Sequence, residues 1–205
     1  MRGLWAMTIL VVLPGIGFAQ NLELKVEPRY GVMINTRTFT QRTPQDALAS
    51  TIRAIEENRF DVLVAHIISE KVTEAMADEK ARLLENEAED HLRGVREKQK
   101  ANPLGVLPEE KLPYEPKAFA EFVKVEAKNR GFKATIEDVR KKFAADLNIV
   151  KVMKRYLRDG EFIETGDTAK VVLKDAKGKG IFFVKVKDRW FVEDRQEEAA
   201  KGGMN

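Results

Sequence analysis

Cysteine is absent from the 205 residues, and histidine occurs only twice. The first absence excludes disulfides, thiolate nucleophiles and the lipidated cysteine of a bacterial lipoprotein. The second leaves His66 and His91, 25 positions apart, which without cysteine make no zinc site. Serine nucleophiles are equally thin. There is no Gly-x-Ser-x-Gly, and neither Ser50 nor Ser69 has the strained-turn context such a nucleophile needs. Gly178-Lys179-Gly180 reads as a hairpin loop rather than a phosphate cradle, because no helix start follows it. Charge of one sign is not in excess either. The 36 basic and 33 acidic residues are interspersed, so a net charge of +3 and a pI near 9.0 make no case for a nucleic-acid partner.

Long hydrophobic runs are missing too. The most apolar stretch, Trp5–Leu13, falls short of the ~18 residues a membrane helix needs. Arg2 before it and Gly17-Phe18-Ala19 after it complete the pattern of a signal peptide, with cleavage expected after Ala19. The expectation is an exported chain, periplasmic or extracellular, with no transmembrane segment once cleaved. An exported domain without disulfides relies on its hydrophobic core, which suits a bacterial envelope protein. The mature charge becomes +2, since only Arg2 is lost (35 minus 33).

What is present is a clear order of elements. Residues 20–42 read as an extended arm, and residues 43–195 as a single domain. Thr43-Pro44-Gln45-Asp46 combines a capping hydroxyl, a proline suited to the first helical position and an early acid. Leu48, Thr51, Ile52 and Ile55 then repeat at helical spacing, and Asn58 ends the helix. Phe60, Leu63, Val64 and Ile67 form a second short helix. Ser69–Ala101 is helical and heavily charged, with 16 Asp, Glu, Lys and Arg among 33 residues and a thin apolar stripe. Asn102–Pro116 carries four of the seven prolines and reads as a stiff linker within an insertion spanning 69–116. Phe119, Phe122 and Val123 mark a short helix broken near Asn129-Arg130-Gly131. Thr135 and Asp138 then open a long helix that ends at Gly160.

The stretch Glu161–Asp194 organises the remainder. Ala169–Leu173, Ile181–Val186 and Trp190–Val192 are dense in β-branched and aromatic residues, separated by turn-like breaks. They predict an antiparallel meander of three to four strands. Alternation places Phe182, Val184 and Val186 on one continuously apolar face, and the Thr135–Asp159 helix is expected to cover it. The fold class is therefore α+β, with helices packed on a small antiparallel sheet. Residues 196–205 read as a flexible tail.

Two segments carry a family resemblance. Thr43-Pro44-Gln45-Asp46-Ala47-Leu48, followed by Ala54-Ile55-Glu56-Glu57-Asn58-Arg59-Phe60-Asp61, resembles the opening of nuclear-transport-factor-two-like (cystatin-like, cone-shaped) domains. Thr168–Val172 through Lys187-Asp188-Arg189-Trp190-Phe191-Val192 is similar to that superfamily's closing strands. The resemblance implies a cone-like architecture. The long helical insertion departs from the pattern, standing where early strands of the cone would lie.

In enzymes of that superfamily a histidine or aspartate near the pocket serves as general acid or base, which makes His66, with Glu70 four residues on, the one catalytic candidate. A half-buried structural histidine is the competing reading, because no catalytic partner can be placed beside it. Phe60, Tyr156, Phe183 and Trp190, with His66, are the candidate lining of an apolar pocket, and the alternative is ordinary core packing. Lys124–Arg158 holds eleven basic against four acidic residues. Arg140, Lys151, Lys154, Arg155 and Arg158 are its candidate contacts to an anionic surface, against the alternative of a solvated helix face. No cofactor or metal is expected. The reading is a non-catalytic exported module whose partner is a small molecule or an envelope protein. An isomerase-like cone using His66 and a protein–protein adaptor using helix 69–101 are the alternatives.

Overall fold

The computed structural model describes residues 26–102, 111–146, 148–176 and 179–193, so the signal-peptide pattern, Pro103, Pro108 and the tail lie outside the described residues. The first helix starts as its sequence dictates. In α1 (Pro44–Glu56) the Thr43 hydroxyl accepts the Asp46 amide at 3.1 Å. Asn58 takes the left-handed conformation (φ 56°) and the chain turns at once into α2 (Phe60–Val62). That single turn widens into a π-helical turn, Leu63–Ile67.

Two long helices follow, α3 (Glu70–Ala101) and α4 (Pro116–Ala145), packed side by side as a hairpin. The Glu115 carboxylate caps α4 by accepting the Lys117 and Ala118 amides. α4 runs unbroken through Asn129-Arg130-Gly131, where the sequence suggested a break. Gly131 is a contact residue: a Cβ there would stand 2.3 Å from the Ala77 carbonyl oxygen of α3. Thr135 and Asp138 do not open a helix either. The Thr135 hydroxyl donates back to the Gly131 carbonyl at 2.9 Å, and Asp138 pairs with Lys80 across the hairpin at 2.6 Å. The real interruption comes later, between α4 and α5 (Asn148–Asp159). The expected single helix over 135–159 is thus two.

β1 (Glu161–Thr165), β2 (Thr168–Val172), β3 (Gly180–Val186) and β4 (Arg189–Glu193) form an antiparallel meander in the order β1-β2-β3-β4. Among the described residues five α-helices and this sheet make an α+β fold, as the sequence indicated. The covered face is the opposite of the expected one. Phe183 pairs with Ala169 on one side and Val192 on the other, and Lys185 pairs with Trp190. Ala169, Val171, Ile181, Phe183 and Trp190 therefore share the inner face. Phe183 is fully buried, whereas Val186 on the other face is 47% exposed. The C-terminal part of the expected cover does pack there, α5 supplying Val150, Met153, Tyr156 and Leu157, and α1 adds Ala47, Leu48 and Ile52 in place of residues 135–145.

The apolar residues late in α4, Ile136, Val139 and Phe143, pack into a second cluster. They meet Phe60 and Leu63 there, together with Phe39 and the turn residues Tyr30 and Val32. A third, small cluster lies far out on the hairpin: Leu92, Leu112, Phe119 and Val123, with Val95 against them.

Candidate functional site

The most unusual polar grouping lies where the N-terminal turn, the π-helical turn and the start of β4 meet. Tyr30 and Gly31 both adopt positive φ (52° and 74°), which folds Arg29–Val32 into a two-residue turn closed by reciprocal backbone hydrogen bonds of 3.2 and 2.9 Å. The turn leaves the Val32 carbonyl facing His66, whose Nε2 donates to it at 2.8 Å. His66 is only 1% exposed, and its Nδ1 is buried with no hydrogen-bond partner. Burial holds the imidazole below the ordinary histidine range. The Val32 bond pulls it up, and the positive charges of Arg189 and Arg29 push it down.

Arg189 is anchored from two sides. One Nη2 donates to Gln41 Oε1 and to the His66 carbonyl, the latter at 3.2 Å. Gln41 is itself fastened to β4: its backbone carbonyl accepts the Trp190 amide at 2.8 Å and its Nε2 donates to the Trp190 carbonyl at 2.7 Å. With the Ser69 amide donating to Val192 at 2.8 Å, these bonds close the β4 edge of the sheet. The Arg189 guanidinium, stacked 5.0 Å from the Phe191 ring centre, is pushed down to about 10 by burial first and by Arg29 second. Arg29 makes a long ion pair with Glu70. Its Nη2 is buried without a hydrogen bond, and Glu70 Oε1 stands 4.0 Å away on a side chain that is 63% exposed.

The candidates drawn from the sequence fall into separate places. Tyr156, Phe183 and Trp190 come together, but as packing between the sheet and α1/α5, with the Tyr156 hydroxyl donating to the Lys179 carbonyl at 3.1 Å. Phe60 lies in the helical cluster, its ring 6.0 Å from that of Phe143. His66 sits nearer to Phe60 in the chain than to any of these strands. The basic strip is divided by the α4–α5 interruption and largely paired. Arg140 bonds Glu137 at 2.7 Å, Lys154 meets Glu56 at 2.5 Å, Arg155 meets Asp175 at 2.5 Å, and Arg158 meets Asp159 at 2.7 Å. Lys151 stays exposed on α5. The positive potential along these helices is therefore offset locally by carboxylates.

Two open clefts lie elsewhere. One of about 520 Å³ runs between the Tyr30–Val32 turn and α4, where Tyr30 stacks on Phe132 at 4.1 Å. The other, of about 450 Å³, lies on the outer part of the hairpin, lined by Arg96, Tyr114, Phe119 and Val123 among others. Neither reaches His66. Arg29, Gln41 and Arg189 went unnoticed in the sequence, because no periodicity marks an arginine that becomes buried through contacts across most of the chain. Among the described residues no helix is long and apolar enough to cross a membrane. No protein-family model, curated protein or solved structure matches this chain.

Proposed function

We propose that this protein is a non-catalytic binding or scaffolding module, exported to a bacterial cell envelope, and that it engages a protein partner through the α3–α4 hairpin. The observation that carries the reading is the independence of the hairpin's outer half. At ~1.5 Å per residue, α3 is about 48 Å long. Only its first turns, around Thr73 and Ala77, and the later part of α4 pack on the body. The outer cluster of Leu92, Leu112, Phe119 and Val123 contains no residue of the body. Such a structure holds its shape alone and presents its flanks. Those flanks expose Leu83 at 73%, with Tyr114, Phe122 and Val125, between acidic and basic side chains. Exposed apolar residues amid mixed charge suit a protein surface better than a small ligand.

Export rests on the Arg2, Trp5–Leu13 and Gly17–Ala19 pattern. The resemblance to cone-shaped domains is supported by the order of a capped helix, a short second helix and a closing meander. The catalytic alternative through His66 has less in its favour. Its imidazole is enclosed, its Nε2 is engaged by Val32, and no carboxylate hydrogen-bonds it.

The test is an arm-shortened chain lacking residues 89–121, rejoined by a short glycine-serine loop where the two helices face each other, with the exposed Leu83, Phe122 and Val125 that the deletion leaves replaced by glutamate. Both chains, expressed in an envelope-bearing bacterial host, are cross-linked in the cell and their adducts compared. The expected result is a discrete adduct of the full chain that the shortened, still folded chain lacks. The same adduct from both would remove the hairpin from the proposal.

A further inference from the structure

The outer half of the hairpin carries an open groove of about 450 Å³ between α3 and α4. Its α3 wall is a stripe at helical spacing, Glu85, Glu89, Arg93, Arg96 and Lys100. Its α4 side is built on Phe119 and Val123, both buried, with Lys124 beside them and Tyr114 just before the helix. Charge is segregated along the α3 wall. The carboxylates stand at the end nearer the body, and Arg96 lies ~16 Å beyond Glu85 at ~1.5 Å per residue.

The far end has a definite chemistry. The Arg96 guanidinium stands 4.2 Å from the centre of the Phe119 ring, a cation–π contact that holds it over the apolar floor. Its Nε is buried with no hydrogen-bond partner, while the residue as a whole is partly exposed. The other three cations each have a glutamate on their own helix. Arg93 bonds Glu89 at 2.7 Å, Lys100 bonds Glu97 at 3.0 Å, and Lys124 bonds Glu121 at 2.9 Å. Exposed pairs at this spacing hold weakly in water, so an arriving carboxylate can replace them. Among the described residues, no carboxylate forms an ion pair with Arg96. Tyr114 is presented at the same end with its ring 56% exposed. The chain leading to it is fixed, because buried Gln99 donates to the Leu112 carbonyl at 3.1 Å and accepts the Leu112 amide at 2.8 Å.

A guanidinium matches a carboxylate with two parallel N–H bonds, and Lys100, one turn further on, adds a second positive charge. An exposed tyrosine ring beside them suits an aromatic side chain better than a bare ion. We propose that this end of the groove receives an acidic–aromatic segment of the protein partner, its carboxylate on Arg96 and Lys100 and its ring on Tyr114. The inference rests on the hairpin being the partner-binding arm, and names what that arm recognises.

Two measurements test it. In the first, the full chain is titrated with an end-blocked Gly-Asp-Phe-Asp-Gly peptide and followed by amide chemical shifts. Saturable shifts are expected at 93–100 and 114–124, around the groove. Peptides with asparagine for both aspartates, or alanine for phenylalanine, should bind about tenfold or more weakly, as loss of a charge-assisted hydrogen bond or a ring contact implies. Arg96→Gln and Tyr114→Ala should weaken the original peptide similarly. Arg82→Gln, an equal loss of charge on α3 outside the groove, should not. In the second, Arg96→Gln and Arg82→Gln replace the parent chain in the in-cell cross-linking, and only Arg96→Gln should lose the adduct. Circular dichroism reports whether each variant is folded. The peptide series on the parent chain needs no variant and decides the matter even if Arg96→Gln fails to fold. Absence of localised shifts, or equal binding of the asparagine or alanine peptide, overturns the proposal. An adduct that the shortened chain lacks but folded Arg96→Gln keeps also overturns it, and leaves the hairpin reading standing. An adduct kept by the shortened chain overturns both.

Discussion

Single residues decide more here than their type suggests. His66 occupies a fully enclosed position, and its protonation is opposed by burial before anything else. In the unfolded chain a histidine titrates near its ordinary value of 6.5, whereas the buried ring titrates lower. As pH falls the unfolded chain therefore takes up the proton first. The stability His66 contributes is complete above 6.5 and is lost as pH drops through the lower, folded-state value. Denaturant midpoints from about pH 8 to about pH 5 should show this slope, and His66→Gln should flatten it. Equal slopes in both proteins would rule the explanation out. Glycine offers a paired contrast. Gly131→Ala drives a methyl group into the Ala77 backbone and should cost ~1–3 kcal/mol in chemical denaturation. Gly94, also helical, faces open space, so Gly94→Ala should gain ~0.5–1 kcal/mol of local helix stability, read by amide exchange in α3.

At the scale of elements, local chemistry and tertiary contacts divide cleanly. α1 begins and ends where its cap, proline and Asn58 place it, since those signals act within a turn of the chain. The Thr135 and Asp138 pattern misleads because a hydroxyl and a carboxylate have other partners available: Thr135 bonds back to Gly131, and Asp138 crosses to Lys80. The meander was legible as strands but not as a sheet with a definite inside. Both faces of β3 carry apolar side chains, so alternation alone leaves the choice open. Small Ala169 across from Phe183 leaves room for the ring under α1 and α5, and that packing selects the face. Phe183→Ala should therefore cost ~3–5 kcal/mol. Val186→Thr, on the uncovered face, should stay within about 0.5 kcal/mol. Comparable losses at the two positions would invalidate the assignment of the inner face.

The whole molecule consists of a body with two adjoining apolar clusters, bridged by Val192, and a hairpin that extends from it. Shortening the hairpin by residues 89–121 removes all of the third cluster except Val123 but leaves Ala77, Phe132 and Val139 in place. The body's thermal midpoint should consequently change little, measured by circular dichroism; a collapse of cooperative unfolding would show that the hairpin is structurally integral. Sequence by itself determined the absence of cysteine chemistry, the start and end of α1, the charged character of 69–101 and the positions of the later strands, because each depends on residue type or on neighbours within a few positions. Only the tertiary structure decided which sheet face is inside, that α3 and α4 pair along their length, and that Gln41 is tied to β4 through Arg189 and Trp190. Those outcomes rest on contacts such as Gln41 with Arg189, 148 residues apart, where the volume and charge of what packs together, rather than any local period, selects the arrangement.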